Sequence, residues 1–312
     1  MRRLIRLFLL ACLVNMTLVL EAAAGQRIWV ALAAEEGPYQ EAAAVLAAEL
    51  GGEHLLTVRP WQALIEESAP PDLVVTVGVA AFDGLLEAFA RRKEEAWARV
   101  PVMATLLPQA AFELRAPAAG RRLISAVVLD QPLSRQFNLL RLALPQARRI
   151  GVLAGPQTRP LLPVLEKEAR ARGLSLVVSP EVISAEQIYP ALRAVIESAD
   201  VLLALPEPLI YNNATLQNIL LTLYRGRLPL VSFSAAHVRA GAVMALYSTP
   251  AQVTRHAATL IKSWQAGRGW PLPQPPREFA VAVNAKVAAS LGLALDEAAA
   301  LAEALRRLEG QP

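Results

Sequence analysis

Short apolar runs alternate with amphipathic helical patterns along nearly the whole chain, and few folds admit that rhythm. A strand, a helix and a further strand make a βαβ unit, whose parallel strands are covered on both faces. The first half reads as a buried strand from Ile28 to Leu32, then a helix from Pro38 to Leu50 stopped by Gly51-Gly52. A strand from His54 to Val58 and a short helix from Trp61 to Glu67 follow. Leu73 to Val77 is the third strand, a helix carries Phe82, Leu85, Leu86 and Phe89, and Val100 to Leu106 closes the set.

The second half repeats that order. Strands are expected at Ile150 to Leu153, Leu174 to Val178, Val201 to Leu205 and Leu228 to Phe233. Between them lie helices from Pro160 to Gly173, from Ser184 onward, and from Thr215 to Tyr224. Ser184 and Gln187 have capping-box spacing, and Ile188, Leu192, Val195, Ile196 and Ala199 then form one apolar stripe. The fold class is therefore α/β: two Rossmann-like lobes with parallel sheets, joined by a multi-strand hinge. A helix from Gln131 to Leu144 starts the second lobe. After it come a strand from Ala242 to Tyr247, a helix from Pro250 to Trp264, a Pro-rich linker and a strand from Phe279 to Asn284. The expected division gives residues 25–129 and 249–278 to the first lobe, and 130–248 and 279–312 to the second.

Compartment is read from residues 1–24. Arg2, Arg3 and Arg6 precede an apolar stretch from Leu7 to Leu20, and Ala22-Ala23-Ala24 offers a small-residue cleavage site. The stretch is shorter than the roughly 20 residues a bilayer span requires. A cleaved signal peptide and a periplasmic chain, not membrane-spanning after cleavage, are the expectation. Leu9-Leu10-Ala11-Cys12 resembles a lipoprotein cleavage box only loosely, because apolar sequence continues beyond it.

Charge and thiol content narrow the function. The 31 basic and 27 acidic residues nearly balance, and no basic run interleaves with aromatics, so nucleic acid is not an expected partner. The single cysteine, Cys12, lies in the leader. His54, His237 and His256 lack metal-ligand spacing and read as structural or surface groups, with no metal. Gly151 and Gly155 do not make a dinucleotide fingerprint, no phosphate-binding lysine loop occurs, and no nucleophile elbow is present. No cofactor is expected, and the chain carries no recognised enzyme signature.

Between 148 and 293 a family resemblance enters. Arg149-Ile150-Gly151-Val152-Leu153, Ala199-Asp200-Val201-Leu202-Leu203, Pro229 to Ser234, Val238-Arg239-Ala240-Gly241-Ala242 and Phe279 to Asn284 follow in an ordered series. That series resembles the ABC-transporter substrate-binding proteins related to the tryptophan-binding lipoprotein, of type I periplasmic-binding-protein fold. Where that family carries Gly-Thr-Pro-Ala this chain has Gly78-Val79-Ala80-Ala81, and its Thr-Asp-Asn element is replaced by Pro206-Glu207-Pro208. The resemblance implies a small organic solute, amino-acid-like by default, and an ABC permease as partner. A membrane sensor protein is the alternative partner, and an exported enzyme using the same cleft is a further one.

In open parallel sheets ligands bind beyond the strand C-terminal ends. That rule selects the backbone of Gly78, Val79 and Ala80 in the first lobe. In the second it selects Gly155, Gln157, Thr158, Glu207, Tyr211, Ser232 and Ser234, with the solute expected in the interlobe cleft. Glu207 is read either as a carboxylate for a ligand amine or as an exposed loop acid, and Tyr211 either as a stacking ring or as packing against the following helix. Ser232 and Ser234 alternate along a strand end, so both are read as facing the ligand.

Overall fold

The computed structural model describes residues 25–119 and 122–310; the proposed leader lies outside them. The chain separates into two compact units. One takes the chain up to Leu107, Arg115–Ala126 and Ala257–Leu272; the other takes Pro108–Leu114, Val127–His256 and the chain from Pro273.

The first unit contains a five-stranded sheet. Its elements begin with β1 (Arg27–Leu32), α1 (Pro38–Leu50), β2 (Leu55–Pro60), α2 (Trp61–Leu64) and β3 (Leu73–Val77). They continue with α3 (Val79–Arg91), α4 (Glu95–Ala98), β4 (Val102–Thr105) and β5 (Ile124–Val127); α5 (Gln109–Arg115), between β4 and β5 in sequence, falls to the other unit except for Arg115. The strand order is β2-β1-β3-β4-β5, and β1 pairs in parallel with both β2 and β3. β1 and β3 are buried along almost their whole length, as strands covered on both faces must be. β5 is absent from the sequence reading, because Ser125 interrupts its short apolar run.

The second unit repeats the pattern and extends it. Its elements are α6 (Leu133–Ala143), β6 (Arg149–Val152), α7 (Leu162–Arg170), β7 (Ser175–Val178), α8 (Ile188–Ile196), β8 (Val201–Leu203) and α9 (Leu216–Arg225). Then come β9 (Leu230–Ser232), α10 (Ala235–Ala240), β10 (Met244–Tyr247), the start of α11 (Pro250–Gln265, which passes to the first unit at Ala257), β11 (Ala280–Val283), α12 (Ala285–Ser290) and α13 (Ala298–Leu308). The sheet runs β11-β10-β9-β8-β6-β7, with β11 antiparallel to β10. From β7 to β10 this is the order of the first sheet.

Alternation along each strand divides the second core in two. Val201 and Leu203 face one layer with Phe137, Leu165 and Leu305; Leu202 faces the other with Val195, Ile219 and Leu223. Full burial of each such side chain contributes about 1.5–3 kcal/mol. The capping box does not form: Gln187 Oε1 accepts the N–H of Ile183, the residue before the cap, at 2.8 Å, and the Ser184 hydroxyl makes no cap bond.

A buried ion pair ties the C-terminal helix to the start of α6. Arg135 Nε donates to both oxygens of Glu309 at 2.9 Å, and its Nη1 donates to Gln131 Oε1 at 2.9 Å and to the Pro276 carbonyl at 3.1 Å. The guanidinium also lies 4.6 Å from the centre of the Phe279 ring. Removing one partner leaves a charge in a desolvated place. Arg135→Ala is therefore expected to lower the unfolding free energy by about 3–5 kcal/mol in urea titration. Arg135→Lys should restore only part, since an ammonium cannot fork across a carboxylate.

His256 gives the unit an acid sensitivity. Its Nε2 is buried without a partner, and Nδ1 accepts weakly from the Arg277 N–H at 3.4 Å. Burial, and then the Arg277 charge, push its pKa down to about 4. The unfolded chain takes up this proton near the ordinary histidine value, so stability is complete above that value and is lost as pH falls toward 4. The expected loss is about 3 kcal/mol, read from denaturation midpoints, and His256→Gln should flatten that part of the profile.

Candidate functional site

Each sheet reverses its strand order once, between β1 and β3 in the first unit and between β6 and β8 in the second. Such switch points open a crevice at the strand C-terminal ends, where the two outgoing loops diverge. Both crevices are occupied by the chain itself.

In the first unit the turn from β3 into α3 rests on Gly78, at φ 95°. A Cβ there would lie 2.6 Å from the Tyr39 ring and 2.9 Å from Ala33 Cβ, so only glycine lets this turn pack. The Gly78 N–H donates to the Thr105 carbonyl at 2.9 Å. Of the three backbone positions read as donors, Gly78 is thus bonded within its sheet. Val79 and Ala80 form the exposed first turn of α3.

In the second unit the crevice holds Glu207, which is 2% exposed. Its Oε2 accepts the N–H of Gln157 at 2.7 Å and of Thr158 at 3.1 Å, with the Thr158 hydroxyl at 3.5 Å. A Cβ on Gly155 would fall 2.4 Å from the same oxygen. Gly155, Gln157, Thr158 and Glu207 are therefore one constellation, a loop wrapped around an internal carboxylate. The N–H groups that sequence reading offers to a ligand face this carboxylate, which takes the place an external anion would occupy.

The segment after Glu207 folds back on itself. The Glu207 carbonyl accepts the Tyr211 N–H at 2.8 Å, and the Asn212 side chain bonds the Pro208 carbonyl at 2.9 Å. That places the Tyr211 ring, 7% exposed, against the edge of Phe233 at 6.1 Å and near His237 at 6.4 Å. The Tyr211 hydroxyl is buried without a partner, and burial together with the Glu207 charge raises its pKa. It stays a neutral phenol.

Ser232 ends β9 in a buried position, and its Oγ is 2.7 Å from His237 Nδ1. Burial lowers the His237 pKa, which keeps the imidazole neutral. Phe233 packs edge-on to that ring at 4.9 Å. Ser234 caps α10, its Oγ accepting the Ala236 N–H at 3.2 Å. The two serines thus have different tasks: one orients a histidine and the other starts a helix.

His237 and Phe233 belong to the cluster but not to the sequence-read set. The available signal was a serine at a strand end with a histidine five residues on, across a strand-to-helix turn. At the opposite end of the same sheet an open groove is lined by Leu144, Pro145, Asp200, Pro229 and Leu293. Among the described residues there is no group of three or more metal-ligating side chains, and no helix is long and apolar enough to cross a membrane.

No family model matches the chain, and no curated protein matches it in sequence. Solved structures do match over nearly its full length. A conserved domain protein from Vibrio cholerae superposes with TM-score 0.60 at 18% identity, covering 90% of this chain and 98% of that one. The ligand-free, open structure of a substrate-binding protein with adhesive properties from Clostridium difficile gives 0.68 at 14%, covering 87% and 96%. An ABC domain in complex with L-Trp from Streptococcus pneumoniae gives 0.61 at 14%, covering 89% and 98%.

The fold is that of the type I periplasmic binding proteins. In this periplasmic-binding-protein fold the expected two mostly parallel sheets are present, as the sequence rhythm required.

The Glu207 clasp makes a sharp prediction. Glu207→Ala strands the Gln157 and Thr158 N–H groups and should cost about 1–3 kcal/mol. Gly155→Ala should be costly in the parent chain but much milder once Glu207 is alanine. A double-mutant cycle by urea unfolding should give a coupling of about 1 kcal/mol or more. Additive costs would mean that the two residues do not share the crevice.

Proposed function

We propose that this chain is an exported solute-binding protein of an ABC-type uptake system, holding a small organic molecule at the loops that leave the strand C-terminal ends. The observation that carries this reading is the repeated sheet order, with a packed switch point and preformed loops in each unit. Rigid, self-satisfied loops suit binding, because little ordering entropy remains to be lost when a solute arrives. The leader read in residues 1–24 supports a periplasmic location, and an ABC permease is the partner the family resemblance implies. The solute is released unchanged. A sensory accessory to a membrane protein would use the same binding step.

Amino acids are the first class to test, since the pneumococcal neighbour holds L-Trp. The chain from Gly25 onward would be screened by thermal shift against amino acids, small carboxylates, sugars and nucleosides. A solute present at 100 times its Kd should add about 2.7 kcal/mol of stability, and the same mass should be recovered afterwards. A product of different mass would make the chain an enzyme. A folded sample that responds to nothing in the panel would contradict solute uptake.

A further inference from the structure

His237 is a histidine with one nitrogen committed and one open. Nδ1 lies 2.7 Å from Ser232 Oγ, while Nε2, on a residue 9% exposed, makes no hydrogen bond among the described residues and is not a fully buried unpartnered atom. The ring packs edge-on against Phe233 and beside Tyr211, which together with the Ser232 bond fixes its orientation just beyond the C-terminal end of β9. The Ser232 hydroxyl is buried, and among the described residues His237 is its one bonding partner. A buried hydroxyl that gives its proton to no acceptor loses a hydrogen bond, so Ser232 donates to Nδ1 and the ring proton sits on Nε2. In the loops that follow β6, β8 and β9 the one cation is Arg159, which is paired with Glu181 at 2.5 Å. The acid of those loops, Glu207, faces its own N–H donors.

Resting on the solute-binding reading, we propose that His237 selects the solute, its Nε2–H donating to an oxygen acceptor, a carboxylate or carbonyl, on the bound molecule. Ser232 is the positioning residue that fixes the tautomer. A neutral, pre-oriented donor recognises oxygen acceptors without the desolvation cost of a buried cation. Ligands that offer only an ammonium or another donor meet N–H against N–H and are rejected.

Two measurements test this. Long-range nitrogen NMR on histidine-labelled, ligand-free protein, assigned with His237→Gln, should show the Nε2–H tautomer at neutral pH. An Nδ1–H tautomer would overturn the inference and leave solute binding standing. Calorimetry would then compare L-amino acids, their amides and the corresponding decarboxylated amines. Acids or amides should bind and the amines should not; binding of acids alone assigns a carboxylate and of both a carbonyl. His237→Phe should weaken binding by about tenfold or more, which is about 1.4 kcal/mol, and His237→Gln should keep most of it. Should the Phe variant fail to fold, Ser232→Ala serves, with a mixed tautomer and a smaller loss expected. Unchanged affinity in a folded His237→Phe protein, or amines binding as tightly as acids, would overturn the inference alone. A wild-type chain that binds no probe would overturn both readings.

Discussion

Parallel pairing is the constraint on which the rest of this structure depends. Parallel strands need crossover helices, those helices bury both faces of the sheet, and every crossover delivers its strand in the same direction. The loops leaving β1, β3 and β4, and those leaving β6, β8 and β9, therefore gather at one edge of each sheet. Where the strand order reverses, two loops part and leave a crevice that close packing must fill. Tyr39 fills it in one unit and Glu207 in the other, and each requires a glycine, Gly78 or Gly155, to let it approach.

The two fillings have different electrostatic consequences. Tyr39 adds apolar surface. Glu207 places a carboxylate against backbone N–H groups at the start of the turn leading into α7. That arrangement satisfies donors which would otherwise attract a phosphate or carboxylate ligand. The polar groups then left at that edge are neutral ones, held by Ser232, Phe233 and Tyr211. A site of this kind discriminates by hydrogen-bond direction and shape more than by charge.

Most strands and helices were legible because their signals are local. The run from Leu73 to Val77 and the stripe from Ile188 to Ala199 depend only on neighbours in sequence. β5 was missed because Ser125 breaks a short run, and α10 because a six-residue helix leaves little pattern. The position of the candidate loops at the strand ends was legible in outline. Their internal bonding was not. Glu207 meets Gln157 fifty residues away in sequence, a contact that no periodicity encodes. His237 looked ordinary because its bond to Ser232 forms only where the chain folds back across the β9–α10 turn.

We propose that a small solute is held at the strand C-terminal loops. Hydrogen exchange with and without a saturating solute tests it most directly. Slowed exchange should concentrate in 155–158, 205–211 and 232–237 of the second unit. Protection centred instead on the groove at the opposite end, around Pro145, Asp200 and Leu293, or no protection under saturating solute, would contradict it.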